Sequence, residues 1–380
     1  MKRALYATYT AALTAALTAA LTAALTLIGC SSEPTIEQLA PKLLIMGVDG
    51  TSLSESNPIT DDIRSGISGV ILFERNIAKP NGETSPNSKE QLHRFITDMQ
   101  SVRSAPLIIS IDQEGGFVNR LKTKYGFRPM PSQRSVAQRV EESGSMECAH
   151  QTAATIAEEL TSVGINLNFS PCVDVDVNPS CPVIGRFERS FSADEKLVTE
   201  LANIYIDEHR KRGVLTSLKH FPGHGNSLED SHFGLADITD TWQQERELQP
   251  YRELIKAELC DMVMVSHLFN RNIDPDYPAT LSRPTIDSLL RGVLQWDGVV
   301  ITDDMQMRAI VDHYGFDEAV TLALNAGVDL FIVGGNIRRE RYSVRERFVE
   351  IITEGVKSGK ISEERVRESV ARIEKLTNQL

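Results

Sequence analysis

Between Lys219 and His232 the chain reads KHFPGHGNSLEDSH, three histidines, a lysine and two acids set around Gly223 and Gly225. Histidine titrates near about pH 6.5, so it can give a proton to a leaving oxygen and recover one from water. Asp230 stands two positions before His232, close enough to reach its ring within one turn and fix its tautomer. One histidine alone would read as structural; three beside Lys219 and Asp230 read as a site. Two chemistries fit these residue types. Metal-assisted hydrolysis could draw ligands from His220, His224, His232, His267, Asp112 and Asp303. Glycoside hydrolysis needs a carboxylate on one side of an anomeric carbon and a proton donor on the other. Barrels with a catalytic metal often carry a His-x-His pair on the first strand. Gly47-Val48-Asp49-Gly50 has no histidine, which favours the second chemistry.

These side chains must be aimed by rigid elements. Short apolar, β-branched runs predict strands at Leu43 to Met46, Gly69 to Phe73, Leu107 to Ile111, Leu167 to Phe169, Gly213 to Leu218, Met262 to His267, Gly298 to Thr302 and Leu330 to Val333. Amphipathic spacing predicts helices from Ser88 to Val102, with Leu92, Phe95, Ile96 and Met99 on one side, and from Met146 to Val163. A further helix from Asp194 to Arg212 would be capped by Ser192, and two charged helices from Ser343 and Ser362 close the chain. Apolar strands alternating with helices imply a parallel sheet buried on both faces, and about eight repeats imply a single closed (β/α)8 barrel. No GxGxxG follows the first strand, against a dinucleotide-binding sheet, and no Gly, Ser or Pro-rich linker marks a second domain. Asp112, Lys219, His220, His267 and Asp303 all fall at strand ends, which in a parallel barrel share the face where active sites lie. Asp303 and Asp304 cannot both aim at one substrate atom while their strand continues, because successive side chains alternate.

The chain has 380 residues and ordinary proportions of hydrophobic (41%) and charged (24%) residues, enough for one barrel-sized domain. A formal net charge of -12 argues against nucleic acid as a partner, since phosphate binding needs a basic face. Lys2 and Arg3 precede a long Ala/Leu/Thr run ending Leu27-Ile28-Gly29-Cys30, the form of an export signal rather than a membrane span. That ending resembles a bacterial lipobox. The resemblance implies residues 1–30 as signal, Cys30 as the lipid attachment site, residues 31–42 as a short tether and residues 43–380 as the barrel. It also implies a protein on the periplasmic side, anchored to the outer membrane, as the pattern with Ser31 after the cysteine has it. Cys148, Cys172, Cys181 and Cys260 show no metal-like spacing. Cys172 and Cys181 could pair in an oxidising compartment, but buried free thiols are the expected state.

The motifs IDQEGG (Ile111 to Gly116), KHFPGHG (Lys219 to Gly225), DSH (Asp230 to His232), PATLS (Pro278 to Ser282) and ITDDMQM (Ile301 to Met307) resemble glycoside hydrolase family 3, and within it the β-N-acetylglucosaminidase branch. The resemblance runs in order from about Leu43 into the last helices. It implies a TIM-type barrel without a second sandwich domain, metal-free and without cofactor, removing terminal N-acetylglucosamine from peptidoglycan fragments or chitin-type oligosaccharides with retention. Asp303 would be the nucleophile and His232 the general acid/base, supported by Asp230. Asp112, Arg120, Arg189, Lys219 and His220 would hold the hydroxyls of the terminal sugar. The expected partners are that carbohydrate and, through the anchor, a membrane; a monomer is expected. Phosphorolysis of the same bond, a β-glucosidase-like hydrolase, a metal-dependent barrel hydrolase and a non-catalytic glycan-binding lipoprotein are the rival readings. The chain departs from the family pattern at Phe117, where arginine is frequent, at Asn226-Ser227, and in a loop lengthened by Arg186-Phe187-Glu188 before Arg189.

Overall fold

A computed structural model of the chain describes residues 33–53, 57–77, 88–230, 234–335 and 344–380. By its internal contacts the chain divides into Met1–Thr35 and Ile36–Leu380, and the second unit holds every strand and helix of the barrel. Cys30 and His232 lie outside the described residues.

The strands are β1 (Leu44–Gly47), β2 (Gly69–Leu72), β3 (Ile108–Ile111), β4 (Leu167–Asn168), β5 (Leu215–Thr216), β6 (Leu218–Phe221), β7 (Ala236–Asp237), β8 (Met262–Val265), β9 (Leu268–Phe269), β10 (Val299–Asp304) and β11 (Leu330–Val333). One sheet runs in the order β5-β4-β3-β2-β1-β11-β10-β8-β6, parallel throughout. Its two outer members, β5 and β6, are separated only by Ser217, so the sheet closes on itself through the chain. The predicted fifth strand is therefore one stave in two pieces. Leu215 pairs with Leu167 on one side, and Leu218 pairs with Val263 on the other. Nine segments make eight staves, the (β/α)8 barrel that the alternation predicts. The short pair β7 and β9 lies apart from it.

Runs such as Gly69-Val70-Ile71-Leu72 and Met262-Val263-Met264-Val265 are buried along their whole length. They face barrel interior on one side and helices on the other, which is why they read as continuous apolar stretches. The predicted helices appear at Ser88–Ser101, Glu147–Val163, Glu195–Arg210, Val344–Lys357 and Glu363–Thr377. Those after the first, fifth, sixth and seventh staves, Pro58–Arg64, Gln249–Lys256, Pro284–Val293 and Phe316–Ala326, complete the alternation. Asp194, rather than Ser192, caps the Glu195–Arg210 helix, its carboxylate accepting from Lys196 N; Ser192 Oγ accepts instead from Asp194 N. The residues assigned to a tether extend into the fold. Ile36, Leu39, Ala40 and Leu43 are buried, so the compact unit begins at Ile36 rather than at residue 43. Cys172 and Cys181 are buried free thiols.

Candidate active site

The strand ends bring the predicted residues to one mouth, with their polar atoms organised around an acid that sequence reasoning passed over. Glu114, just beyond β3, is almost fully buried. It accepts two hydrogen bonds from Arg189, at 3.0 and 2.8 Å, and pairs with Lys219 Nζ at 2.7 Å. The same Lys219 Nζ donates to Asp112 Oδ1 at 2.7 Å. Burial alone would raise the Glu114 pKa, but Arg189 and Lys219 overcome it and hold the carboxyl at about 2. For Lys219 burial disfavours the charge, and Asp112 and Glu114 reverse that, raising its pKa. Both cations therefore stay charged although Lys219 is only 1% exposed.

His220 lies behind this floor. Its Nδ1 donates to Asp174 Oδ2 at 2.6 Å, and its Nε2 receives a hydrogen bond from Arg189 at 3.0 Å, since a guanidinium can only donate. Asp174, a second residue missed from sequence, also accepts from the backbone N–H groups of His220 and His224 and from the Cys172 thiol. Burial works against its charge, yet His220 and these donors hold it well below the ordinary carboxylate range. Asp174 thus anchors both ends of His220–His224. Gly225 is needed there because a Cβ would stand 1.7 Å from the carbonyl oxygen of Val175. Farther along, Trp242 Nε1 donates to Pro222 O at 3.1 Å, and Asn226 bonds to the Thr241 carbonyl.

Among the described residues, the grouping with metal-like spacing is Cys172, Asp174 and His220. It does not fit a cation: both His220 nitrogens are engaged, one by a guanidinium, and burial and the nearby Asp174 push the Cys172 thiol well up. Among the described residues, the ligand set considered from sequence gathers into no second grouping of this kind. Asp112 pairs with Lys219, while His267 bridges Thr280 Oγ1 at 2.8 Å and the Asp304 carbonyl at 3.0 Å. Thr280 belongs to the PATLS motif, which therefore supports the end of β10.

β10 continues through both acids of ITDDMQM. Asp304 Oδ1 accepts from Gln306 N and Gly334 N, and burial raises its pKa to about 6. Asp303 Oδ1 accepts from Asp304 N at 2.7 Å. Two cavities, of 620 and 330 Å³, open at this rim, and Asp112, Arg120, Met264 and Asp303 line both. Asp303 thus stands in their common wall. Asp304 lines only the larger, with its carboxylate tied to backbone. Arg189, Lys219, His220 and Asp230 line the smaller, so every predicted site residue within the described part of the chain borders it. Arg120 is held by its backbone N–H to Gln113 Oε1, and its Nε is buried without a hydrogen-bond partner among the described residues.

Fold and mouth together define the class: a parallel barrel whose C-terminal rim presents paired acids and buried cations to an open cavity. Residues 51–376 match the glycosyl hydrolase family 3 N terminal domain, and the chain belongs to that family. It is 34% identical over 331 residues to beta-hexosaminidase A of Pseudoalteromonas piscicida, covering 83% of this chain and 54% of that protein. It is 35% identical over 269 residues to a beta-hexosaminidase of Hydrogenovibrio crunogenus, 70% of this chain and 71% of that one. The chain thus spans about half the length of the first relative and over two thirds of the second. A solved family 3 beta-N-acetylglucosaminidase from Paenibacillus superposes with a TM-score of 0.80 at 35% identity, covering 91% of this chain and 62% of that chain. Beta-N-acetylhexosaminidase from Beutenbergia cavernae gives a TM-score of 0.77 at 26% identity, covering 92% and 100%.

Proposed function

We propose that the protein is a retaining exo-β-N-acetylglucosaminidase acting on terminal N-acetylglucosamine of peptidoglycan fragments or chitin-type oligosaccharides. The observation that carries this reading is Asp303 in the common wall of two cavities, beside a polar floor made by Asp112, Glu114, Arg189 and Lys219. Charged donors and acceptors held in fixed geometry suit a polyol, because each hydroxyl can both give and accept a hydrogen bond. Asp303 attacks the anomeric carbon as the bond to the leaving oxygen breaks, and His232, steadied by Asp230, supplies the proton to that oxygen. Water then gives a proton to the neutral imidazole and displaces the Asp303 carboxylate, which restores the enzyme with net retention. Asp112, Arg120 and Lys219 bind the sugar hydroxyls. Arg189 and His220 complete the floor, His220 mainly by orienting Arg189. The relatives named beta-hexosaminidase support the substrate class.

The test compares release of nitrophenol from the N-acetylglucosaminide and from the glucoside, with chelator present. Wild type should prefer the first substrate and ignore the chelator. Asp303→Ala should lose at least about 10³-fold in kcat with an unchanged melting temperature. Unaltered turnover in that variant, or silencing by chelator, rejects the assignment.

We also propose export and lipid anchoring at Cys30 on the periplasmic side of the outer membrane, supported by the basic start and the Leu27-Ile28-Gly29-Cys30 run. No helix among the described residues is long and apolar enough to cross a membrane. Cys30→Ser should move the protein from the membrane fraction to the soluble one; an unchanged distribution rejects anchoring at this residue.

A further inference from the structure

Two phenylalanines, far apart in sequence, meet in space. Phe117 follows the glycines of IDQEGG, and Phe187 belongs to the short turn before Arg189. Their rings stack with centroids 4.0 Å apart and planes 16° from parallel. Phe117 is nevertheless 65% exposed, so its ring is accessible to a ligand. Both rings line the 330 Å³ cavity that holds Asp303 and Asp230.

The stack is held by backbone. Glu114 N and Gly115 N both donate to Val118 O, which makes a tight turn with Phe117 at its tip. Gly116 N donates to Met130 O, and its φ of +58° with a virtual Cβ 2.6 Å from Ser132 Cβ leaves room only for glycine. On the other side, Phe187 ends the short Gly185–Phe187 turn, and Glu188 accepts from Ser132 Oγ at 2.7 Å. Ser132 thus braces both turns. The rings are fixed in place before any ligand arrives, so little order has to be imposed on binding.

We propose that the Phe117–Phe187 stack is a platform on the leaving-group side of the cavity that takes a second pyranose ring by its apolar face. The inference rests on the glycosidase reading for the identity of the first ring. Exposure runs along the cavity from the buried Lys219, His220 and Arg189 to the open Phe117. A terminal sugar held at the buried end leaves only its aglycone at the open one. The C–H groups on one face of a pyranose form an apolar patch, which complements the electron-rich face of a phenyl ring. The aglycone this site selects is therefore a sugar, in preference to a ringless group.

The experiment uses the full chain and two substrates, the β-1,4-linked disaccharide of N-acetylglucosamine and N-acetylglucosaminyl fluoride, whose leaving group has no ring. Phe117→Ala should lower kcat/KM for the disaccharide about five- to tenfold and leave the fluoride within about twofold. Phe117→Trp should restore the disaccharide rate. An equal loss on both substrates, or no loss on either, overturns the proposal; an unchanged melting temperature ensures that the fold is not what is measured. If wild type cleaves neither substrate, the glycosidase reading fails separately. The platform is then judged by calorimetric titration with the disaccharide. Binding that weakens at least fivefold in Phe117→Ala upholds it, whereas equal or absent binding overturns it.

Discussion

Arg189 and Lys219 are two buried cations, and Glu114 is the charge that permits their burial. Removing one partner of a buried ionic group costs more than the group contributed, because the others stay buried and uncompensated. Glu114→Gln keeps the shape and deletes the charge, so Arg189 and Lys219 would repel one another across the cavity floor. We expect a loss of about 3 kcal/mol in stability and at least about 10²-fold in kcat/KM. Denaturant titration and the nitrophenol assay would measure these, and a variant of wild-type stability would show that the network contributes little. Asp112, Lys219, His220 and Asp303 were legible in the sequence because parallel strands end on one face. Asp230 was legible from its place two residues before His232, and Arg120 and Arg189 came only from the family resemblance. Glu114 and Asp174 were not legible. Their partners lie 75 and 46 residues away along the chain, and local spacing carries no trace of such pairing. Glu114 sits in the IDQEGG motif, yet it lies beyond the end of β3, where strand alternation no longer says which of Asp112, Gln113 and Glu114 turns inward.

The element that carries the site is β6 with the loop after it, and another buried acid lies beneath them. Glu247 packs against Gly223, where a virtual Cβ would stand 2.8 Å from its carboxylate, and its Oε1 accepts from Gln243 N at 3.0 Å. Burial, reinforced by the charge of Asp174, raises its pKa from 4.5 to about 8. The folded protein therefore holds a proton that the unfolded chain releases above about pH 4.5. The contribution of this group is fully present below that pH, declines as pH rises to about 8, and is constant beyond. The whole change is on the order of 5 kcal/mol, from 1.36 kcal/mol per pKa unit. Glu247→Gln cannot ionise, so unfolding free energies measured from pH 5 to 8.5 should fall less steeply for the variant than for wild type. Parallel curves would mean that Glu247 is ionised in the fold. Elements themselves were readable in proportion to their periodicity. The four-residue apolar strands stood out, but Gln133–Ser143 buries only Val136, Ala137 and Val140 as apolar residues, too few to announce a helix. Gln249–Lys256 is short and starts with Pro250 near its first turn, where proline is tolerated but helical periodicity has barely begun. The break at Ser217 was hidden because Gly213 to Leu218 reads as one strand, while the closure pairs Leu215 and Leu218 with different neighbours.

At the scale of the molecule, the two ends of the compact unit hold each other. Ile36, Leu39, Ala40 and Leu43 are buried where Ile36–Leu43 packs on the Val344–Lys357 and Glu363–Thr377 helices, and Lys42 Nζ reaches Glu374 at 2.7 Å. The last helix is bound inward in turn. Arg365, Arg372 and Ser369 all bond to Asp329, which is fully buried just before β11 and also pairs with Arg291. A barrel needs its first and last staves side by side, and β1 pairs with β11; the segment before β1 covers the helices that come after β11. Burying aliphatic side chains is worth about 1.5–3 kcal/mol each for the large ones, so Ile36, Leu39 and Leu43 together supply several kcal/mol. A domain of this kind has only about 5–15 kcal/mol in total. A chain starting at Ile36 should therefore melt with wild-type temperature and keep its kcat, since the removed residues belong to the other unit. One starting at Leu44 should be largely insoluble or melt at least about 10 °C lower. Thermal melting and soluble yield of the two truncations decide this. Equal stability of both would show that residues 36–43 are a tether after all, and that closure at β1 and β11 is sufficient without its cover.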